Sequence, residues 1–487
     1  MDVEDQNIHP VVKTKSDDIE LPEIQATNEE FDETRVKKLI RKVDLRLLPY
    51  LTLLYLFSFL DRVNIGFARV YRMEEELHLT PDQYSWTLSI FFVGYVLFEV
   101  PSNLLLKKVT PPRWIARIMV TWGAITMALA AVKNFEGLMA GRFFLGVSEA
   151  GLFPGLIYFL SFWYTRKEQG LRIALFYSAA SLAGAFSGLL AYGISYIDQH
   201  GGLSGWQWIF IIEGLPSVII GIATWWLLPS TPNHVKWLTQ PERDYLAQRL
   251  MNDHTDSGTK VFRKEQFKEA FTDYKVYLYM LSYFGFVCPL YAMAQLLPTI
   301  IAGMQFGKLA SLLLTAPPYA VGVFTTIALA YHSDKKMERC FHFITSISIG
   351  AIGFLIMAVV ANNHVKYFGA FLAVMGIATS LPIHLSWLNN NMLGSTKAGT
   401  ASAMVVSFGN VGGIVAGQMY RISEAPAFTP SHLTNMAFMI MSLVVALVLR
   451  YGLSRENAKL AAMANTGEFK VNERSDGLDV TNFRFTL

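Results

Sequence analysis

Asp61, Arg62, Asn64, Glu99, Arg142, Glu149 and Glu213 fall inside long apolar runs of this 487-residue chain. If those runs cross a bilayer, an ionised side chain near the centre costs about 2.5–3.5 kcal/mol on insertion scales, so each residue needs a chemical reason to be there. Arginine presents a planar fork of donors that fits a carboxylate bidentately, so Arg62 and Arg142 could hold an organic anion. A carboxyl whose proton affinity follows its surroundings can carry a proton, a role open to Glu149 and Asp61. Arg142 and Glu149 are almost two helical turns apart, which puts them on one face, about 10 Å from each other. Plainer readings stand beside these. Asp61 and Arg62 could form a structural pair at the membrane surface, and Arg142 could simply neutralise Glu149. Glu99 reads as a gating or interhelix bond, and Glu213, just before Gly214 and Pro216, as packing.

The second half of the chain differs. No Asp, Glu, Lys or Arg lies deep in its apolar runs, which offer Gln295, His384, Trp387, Asn389, Asn390, Asn391, Asn410 and Gln418 instead. Charge chemistry is therefore expected from the first half, with amides, aromatics and apolar walls from the second. Asn64, Gln295, His384, Trp387 and Asn390 are the expected substrate contacts besides the two arginines. His384, beside Pro382, reads first as a structural histidine and second as a proton carrier.

The elements that must hold these residues follow from hydropathy. A helix needs roughly 20 mostly apolar residues to cross a bilayer. Twelve such runs can be marked: 46–67, 84–106, 114–133, 137–162, 172–195 and 207–228, then 276–302, 309–331, 341–361, 366–388, 398–420 and 433–453. They are too long for barrel strands. Charged residues make up 16% of the chain, against about 25% in soluble proteins. An ordinary cytosolic enzyme or a disordered scaffold is thereby excluded. A net charge of +3 gives no nucleic-acid signature, and the two cysteines, Cys288 and Cys340, have no metal-ligand spacing. The expected fold class is an all-α polytopic membrane protein, with twelve transmembrane helices in two six-helix halves.

The domain boundaries read 1–45, a polar N-terminal tail without a signal peptide; 46–228 and 276–453, the two halves; 229–275, a central loop; and 454–487, a polar C-terminal tail. Lys107, Lys108, Arg113, Arg166, Lys167, Arg172, Lys335, Lys336 and Arg339 crowd alternate loops, as do the basic residues of the central loop. The positive-inside rule then places both tails in the cytoplasm. The basic loop after span two, from Asn103 through Lys108, has a counterpart after span eight, from Ser333 to Arg339. Two halves of six spans with such a repeat form the secondary-transporter pattern, and Glu99, Asn103, Lys107, Asp334 and Arg339 are its expected gating and loop residues. Small residues at four-residue spacing, as in Gly409, Gly413 and Gly417 or Ala180, Gly184 and Gly188, predict close and mobile helix contacts.

Several blocks together resemble the fungal anion:cation symporters, the allantoate and nicotinate permease group of the major facilitator superfamily. They are Tyr50–Gly66 with Asp61-Arg62-Val-Asn64, Gly94–Asn103 with Glu99, Arg142–Gly155 with Glu149, Gly205–Gly214 and Asn390–Lys397. The resemblance runs from about residue 40 to 453. Asn103 and Lys107 stand where the superfamily usually has Gly and Asp, whereas Asp334 keeps the acid in the second copy. Sialin and the vesicular glutamate transporters are more distantly similar around Arg62, Arg142 and Glu149, and there the pattern implies anion binding and proton coupling. They also use an arginine in span seven, which this chain lacks. The resemblance implies a plasma-membrane, proton-coupled importer of a small organic anion such as nicotinate, allantoate or a related vitamin or ureide. It implies no cofactor, and a monomer is expected. The rivals are an exporter of a metabolite or drug and a nutrient sensor that binds without transporting. No nucleophile motif, metal cluster or phosphate loop supports an enzyme.

Overall fold

The structure, a computed structural model, describes residues 32–487 apart from 107, 257–262 and 466–483. Lys107 therefore lies outside the described residues. Among the described residues the long elements are all helices. In the first half they are α1 (Glu33–Val70), α2 (Pro81–Leu106), α3 (Pro111–Leu129), α4 (Phe135–Leu160), α5 (Leu175–Ile197) and α6 (Gly205–Leu227). In the second they are α7 (Tyr274–Gly303), α8 (Leu309–Lys336), α9 (Cys340–Val359), α10 (Asn363–Asn390), α11 (Ser395–Ala416) and α12 (Thr429–Asn465). Eleven of these are long and apolar enough to cross a membrane, and α3 falls outside that set. The helix is nonetheless formed, with Pro111 and Pro112 in its first turn where their missing N–H groups cost nothing.

Local chemistry sets the ends. Asp32 accepts the Arg35 amide at 2.7 Å to start α1, Ser204 and Gln207 form a capping box on α6, and Asp273 accepts the Lys275 amide at the start of α7. α4 is interrupted at Ala150–Gly151, just before Pro154. Two boundaries differ from those read in the sequence. α1 begins inside the stretch read as a tail, because Leu39, Ile40, Val43 and Leu47 recur on one face and are buried while Arg41 and Arg46 between them are exposed. α12 likewise runs past 453, and residues 484–487 fold back onto the second half.

The two halves repeat each other. α1 packs on α5 and α6, and α7 packs on α11 and α12; α2 packs on α4 as α8 does on α10; α3 packs on α6 as α9 does on α12. This is the same arrangement shifted by six helices. Leu97, Val100, Leu104, Trp226, Phe324 and Val448 are exposed on the outside, as lipid-facing side chains must be.

Across the seam α1 meets α7, α2 meets α11, and α5 meets α8. Of the small residues singled out in the sequence, Gly184, Gly188, Gly413 and Gly417 sit there, whereas Gly409 packs on Tyr283 within the second half. A Cβ on Gly66 would collide with the Gln295 carbonyl, and one on Gly188 would meet Thr315 and the Leu312 carbonyl. Gly413 rests on Phe92, and Gly417 on Leu88 and Ser89. Ser89 donates to the Ile414 carbonyl at 2.8 Å and accepts from Gln418. These contacts close the halves together at the end of the bundle opposite the two termini.

Candidate functional site

Below that seal a cavity lies between the halves. Tyr55, Ser58, Phe59 and Arg62 recur at helical spacing along α1 and form one wall. Tyr95 of α2, Glu149, Leu152 and Phe153 of α4 and Tyr177 of α5 complete the first half's share. The second half supplies Tyr283, Tyr291, Leu381, Leu385, Val406 and Asn410. The charged groups of the lining belong to the first half, and the second contributes aromatics, an amide and apolar side chains.

Arg62 Nη2 donates to Glu149 Oε1 at 2.5 Å, and Ser58 Oγ donates to the same oxygen at 2.6 Å. The side chains of the pair are 9% and 4% exposed. Rings of Phe59, Phe91 and Tyr95 surround the guanidinium, with centroids 5.3–5.8 Å from its carbon. In so dry a place, removing one partner of an ion pair typically costs about 3–5 kcal/mol, because the other charge is left uncompensated. An incoming carboxylate could replace Glu149 on Arg62 once Glu149 is neutral, since the fork then has donors to spare.

Glu99 links the halves. Its Oε2 accepts from Ser407 Oγ at 3.2 Å and Asn410 Nδ2 at 3.4 Å, while Tyr291 donates to Asn410 Oδ1 at 2.7 Å.

The other expected site residues lie elsewhere. Asp61 does not pair with Arg62: neighbours on a helix point about 100° apart. Its Oδ2 instead accepts from Trp122 at 2.5 Å and Ser217 at 2.7 Å, inside the first half. Asn64, one turn on, is buried on the same inward side beside Glu213. Arg142 is fully buried, donates Nε to the Thr87 carbonyl at 3.2 Å and lies 4.9 Å from the Phe91 ring centroid. Neither of its Nη atoms reaches an acceptor among the described residues. Phe91 thus carries a guanidinium from both arginines, and it is Arg62 rather than Arg142 that pairs with Glu149.

Gln295 is buried in α7 with its amide away from the lining. His384 is enclosed by Tyr279, Tyr283, Phe286 and Phe343, with centroids 5.1–5.5 Å away. Trp387 Nε1 donates to the Thr486 carbonyl at 2.9 Å, and Asn390 is exposed at the end of α10. Of the expected substrate contacts only Arg62 lines this cavity; Arg142, Asn64, Gln295, His384, Trp387 and Asn390 do not. Each helix has one face toward the cavity and others against its neighbours, and polar residues serve both. In the loops, Asp334 pairs with Arg339 at 2.5 Å, Arg339 also donates to Ser333, and Asn103 is half-buried near the end of α2.

Sequence reading passed over Ser58, Tyr95 and Tyr291. Ser58 carried a usable signal, being four residues before Arg62 and so on the same helical face. Tyr95 and Tyr291 carried none, because membrane helices are rich in aromatics.

At the termini end, Arg172 forks onto Asp44 with two 2.8 Å bonds, Arg249 onto Glu168 at 2.7 and 3.0 Å, and Lys42 reaches Glu242 at 2.8 Å. Burial acts to raise the Glu168 and Glu242 carboxyls. The hydrogen bonds and charges of Arg249, Lys42 and the nearby threonines outweigh it and hold both below their usual range. This network ties the central helix Gln240–Asp256 to the first half.

Two six-helix repeats around a central cavity, with an ion pair at its wall, define a secondary transporter. The Major Facilitator Superfamily profile matches residues 51–417, and the chain belongs to that superfamily. It is 37% identical over 431 residues to the MFS transporter prlL of Fungal sp. (strain NRRL 50135), covering 85% of this chain and 86% of that one. It is 32% identical over 485 residues to the major facilitator-type transporter hxnP of Emericella nidulans, covering 96% of each. Among solved structures, a D-xylose-proton symporter superposes with a TM-score of 0.64 at 13% identity, covering 83% of this chain and 97% of that one. A bacterial homolog of the human lysosomal transporter Spinster, inward-facing and occupied, gives 0.63 at 13% identity, with 83% and 96% covered. These two show the fold. The protein is an integral membrane transporter and not an enzyme.

Proposed function

We propose that the chain is a proton-coupled importer of a small organic anion, a carboxylate such as nicotinate, allantoate or a related vitamin or ureide, working by alternating access in the plasma membrane with both termini in the cytoplasm. The observation that carries this reading is the Arg62–Glu149 pair: one cavity-wall guanidinium held by one titratable carboxylate. Arg62 can serve Glu149 or the substrate carboxylate. Protonation of Glu149 from outside frees the fork, the anion takes its place, and the halves rock about the loaded site. Release of the anion on the inner side lets Glu149 re-ionise against Arg62 and give up its proton.

The electrical argument supports coupling. An inside-negative potential opposes anion entry by about 2.3 kcal/mol per charge per 100 mV, and one co-transported proton removes that penalty. Arg142 keeps the region positive behind Phe91, and Asp61 is a second candidate proton group. Asn410, Tyr291 and the aromatic wall would contact the rest of the substrate, and Glu99 with Ser407 and Asn410 would act as a gate. The seal opposite the termini corresponds to a state closed to the outside.

The test is uptake into proteoliposomes of labelled nicotinate, allantoate and a panel of small carboxylates, with and without an inward proton gradient. Gradient-dependent accumulation of a carboxylate, with its neutral amide analogue handled poorly, is expected. Uptake indifferent to the gradient for every anion in the panel would overturn the reading.

A further inference from the structure

Residues 484–487 fold back across the termini end of the second half, and two asparagines read their backbone. Asn457 of α12 donates to the Phe485 carbonyl and accepts the Phe485 amide, both at 2.9 Å. Asn391, just past α10, donates to the Thr486 carbonyl at 2.9 Å and accepts the Thr486 amide at 2.7 Å. A side-chain amide matched to both groups of one residue reproduces the pairing a neighbouring strand would make, which is how extended peptides are commonly bound. Trp387 adds a second donor to the Thr486 carbonyl at 2.9 Å.

The next residue meets a different need. The first amides of a helix have no partner within it, and at the start of α9 the Glu338 carboxylate accepts those of Phe341 and His342 at 2.7 and 3.4 Å. The Leu487 carbonyl accepts from the Arg339 and Cys340 amides at 3.0 and 3.4 Å, taking up the two that Glu338 does not reach. Phe485 and Leu487 pack on the apolar core, and the Lys275 ammonium lies 5.0 Å from the Phe485 ring centroid.

We propose that the second half carries a peptide-binding groove at its termini end, clamped by Asn391 and Asn457, whose ligand is the chain's own segment 484–487. A short extended segment with an apolar side chain at alternate positions is the chemistry this groove takes. Held in the same chain, the segment is present at an effective concentration in the millimolar range, so weak contacts suffice to keep it docked. Docked, it joins the ends of α9, α10 and α12 at a point where no interhelix loop does so.

Hydrogen exchange on the full-length purified protein tests this. The proteins compared are wild type, Asn457→Ala, the Phe485→Asp/Leu487→Asp double substitution, and all three changes combined. In the wild type the amides of Arg339 and Cys340 are protected. Undocking should speed their exchange by about tenfold or more, in a peptide spanning 337–343, while the middle of α9 keeps its protection. Asn457→Ala should shift exchange the same way without adding a charge. The combined variant should lose no more than the double substitution, because the clamp then has nothing left to hold. Equal exchange at 337–343 in all four proteins overturns the proposal. So does a loss of protection spread through the second half, or full additivity of the two changes.

Discussion

Replacing Glu149 by glutamine keeps the length of the side chain and an oxygen for Ser58, but leaves the Arg62 guanidinium without its counter-charge. The pair is 2.5 Å long and nearly sealed from water, so the cost of an uncompensated charge falls in the range of about 3–5 kcal/mol for buried pairs. A bound carboxylate would restore the charge balance, and the variant should therefore be stabilised more by substrate anion than the wild type is. Its coupling should be lost. For one proton per monovalent anion, an alkaline interior by one pH unit is worth about 1.4 kcal/mol, or about tenfold accumulation at zero potential. The assay loads proteoliposomes at such a gradient with a potassium-valinomycin clamp and follows the labelled carboxylate that the panel identifies. The wild type should approach tenfold accumulation. Glu149→Gln should stop near equal concentrations, while counterflow exchange, which needs no net proton release, continues. Anion binding should also lose its dependence on pH in the variant. Normal accumulation by Glu149→Gln would refute the assignment of Glu149 as proton carrier and with it the exchange of partners at Arg62.

Arg62→Lys, which keeps the charge and loses the fork, should weaken apparent affinity by about tenfold or more, whereas Arg142→Lys, further from the cavity, should weaken it less; uptake kinetics for both variants decide the order. Gly66→Ala would drive a methyl group into the Gln295 carbonyl, so it should destabilise the sealed state and raise labelling of single cysteines placed in the cavity by an impermeant thiol reagent from the outside; unchanged labelling would count against the seal. Acid should loosen the termini end. Glu168 and Glu242 are held below their usual range when folded, so their stabilisation is complete above the unfolded carboxyl value of about 4.3 and declines as pH falls through their lower folded values. A thermal midpoint that falls less steeply below about pH 4 in Glu168→Gln than in the wild type would match this, and identical curves would not.

The sequence by itself determined the class of fold. Long apolar runs with few charges leave helices as the solution, since every backbone group must be satisfied within the hydrocarbon. It also determined that charge would concentrate in the first half, because Asp61, Arg62, Glu99, Arg142 and Glu149 can be counted without knowing how the helices meet. What it could not determine was which of these residues face one another. Arg142 and Glu149 look like partners along one helix, yet Arg62 of a different helix reaches Glu149 first, and Arg142 turns to the Thr87 carbonyl and the Phe91 ring. Asp61 and Arg62 are adjacent in the chain and end on opposite tasks, one bonded inside a six-helix half and the other on the cavity wall. Trp387 read as a substrate contact and Asn391 as one of the second half's amides, and only folding brought residues 484–487 to them from some 95 residues away. Periodicity fixes the angle of a side chain about its own axis. Which angle faces substrate, a neighbouring helix or the returning chain is set by the packing of one helix on another, and that is a property of tertiary structure alone.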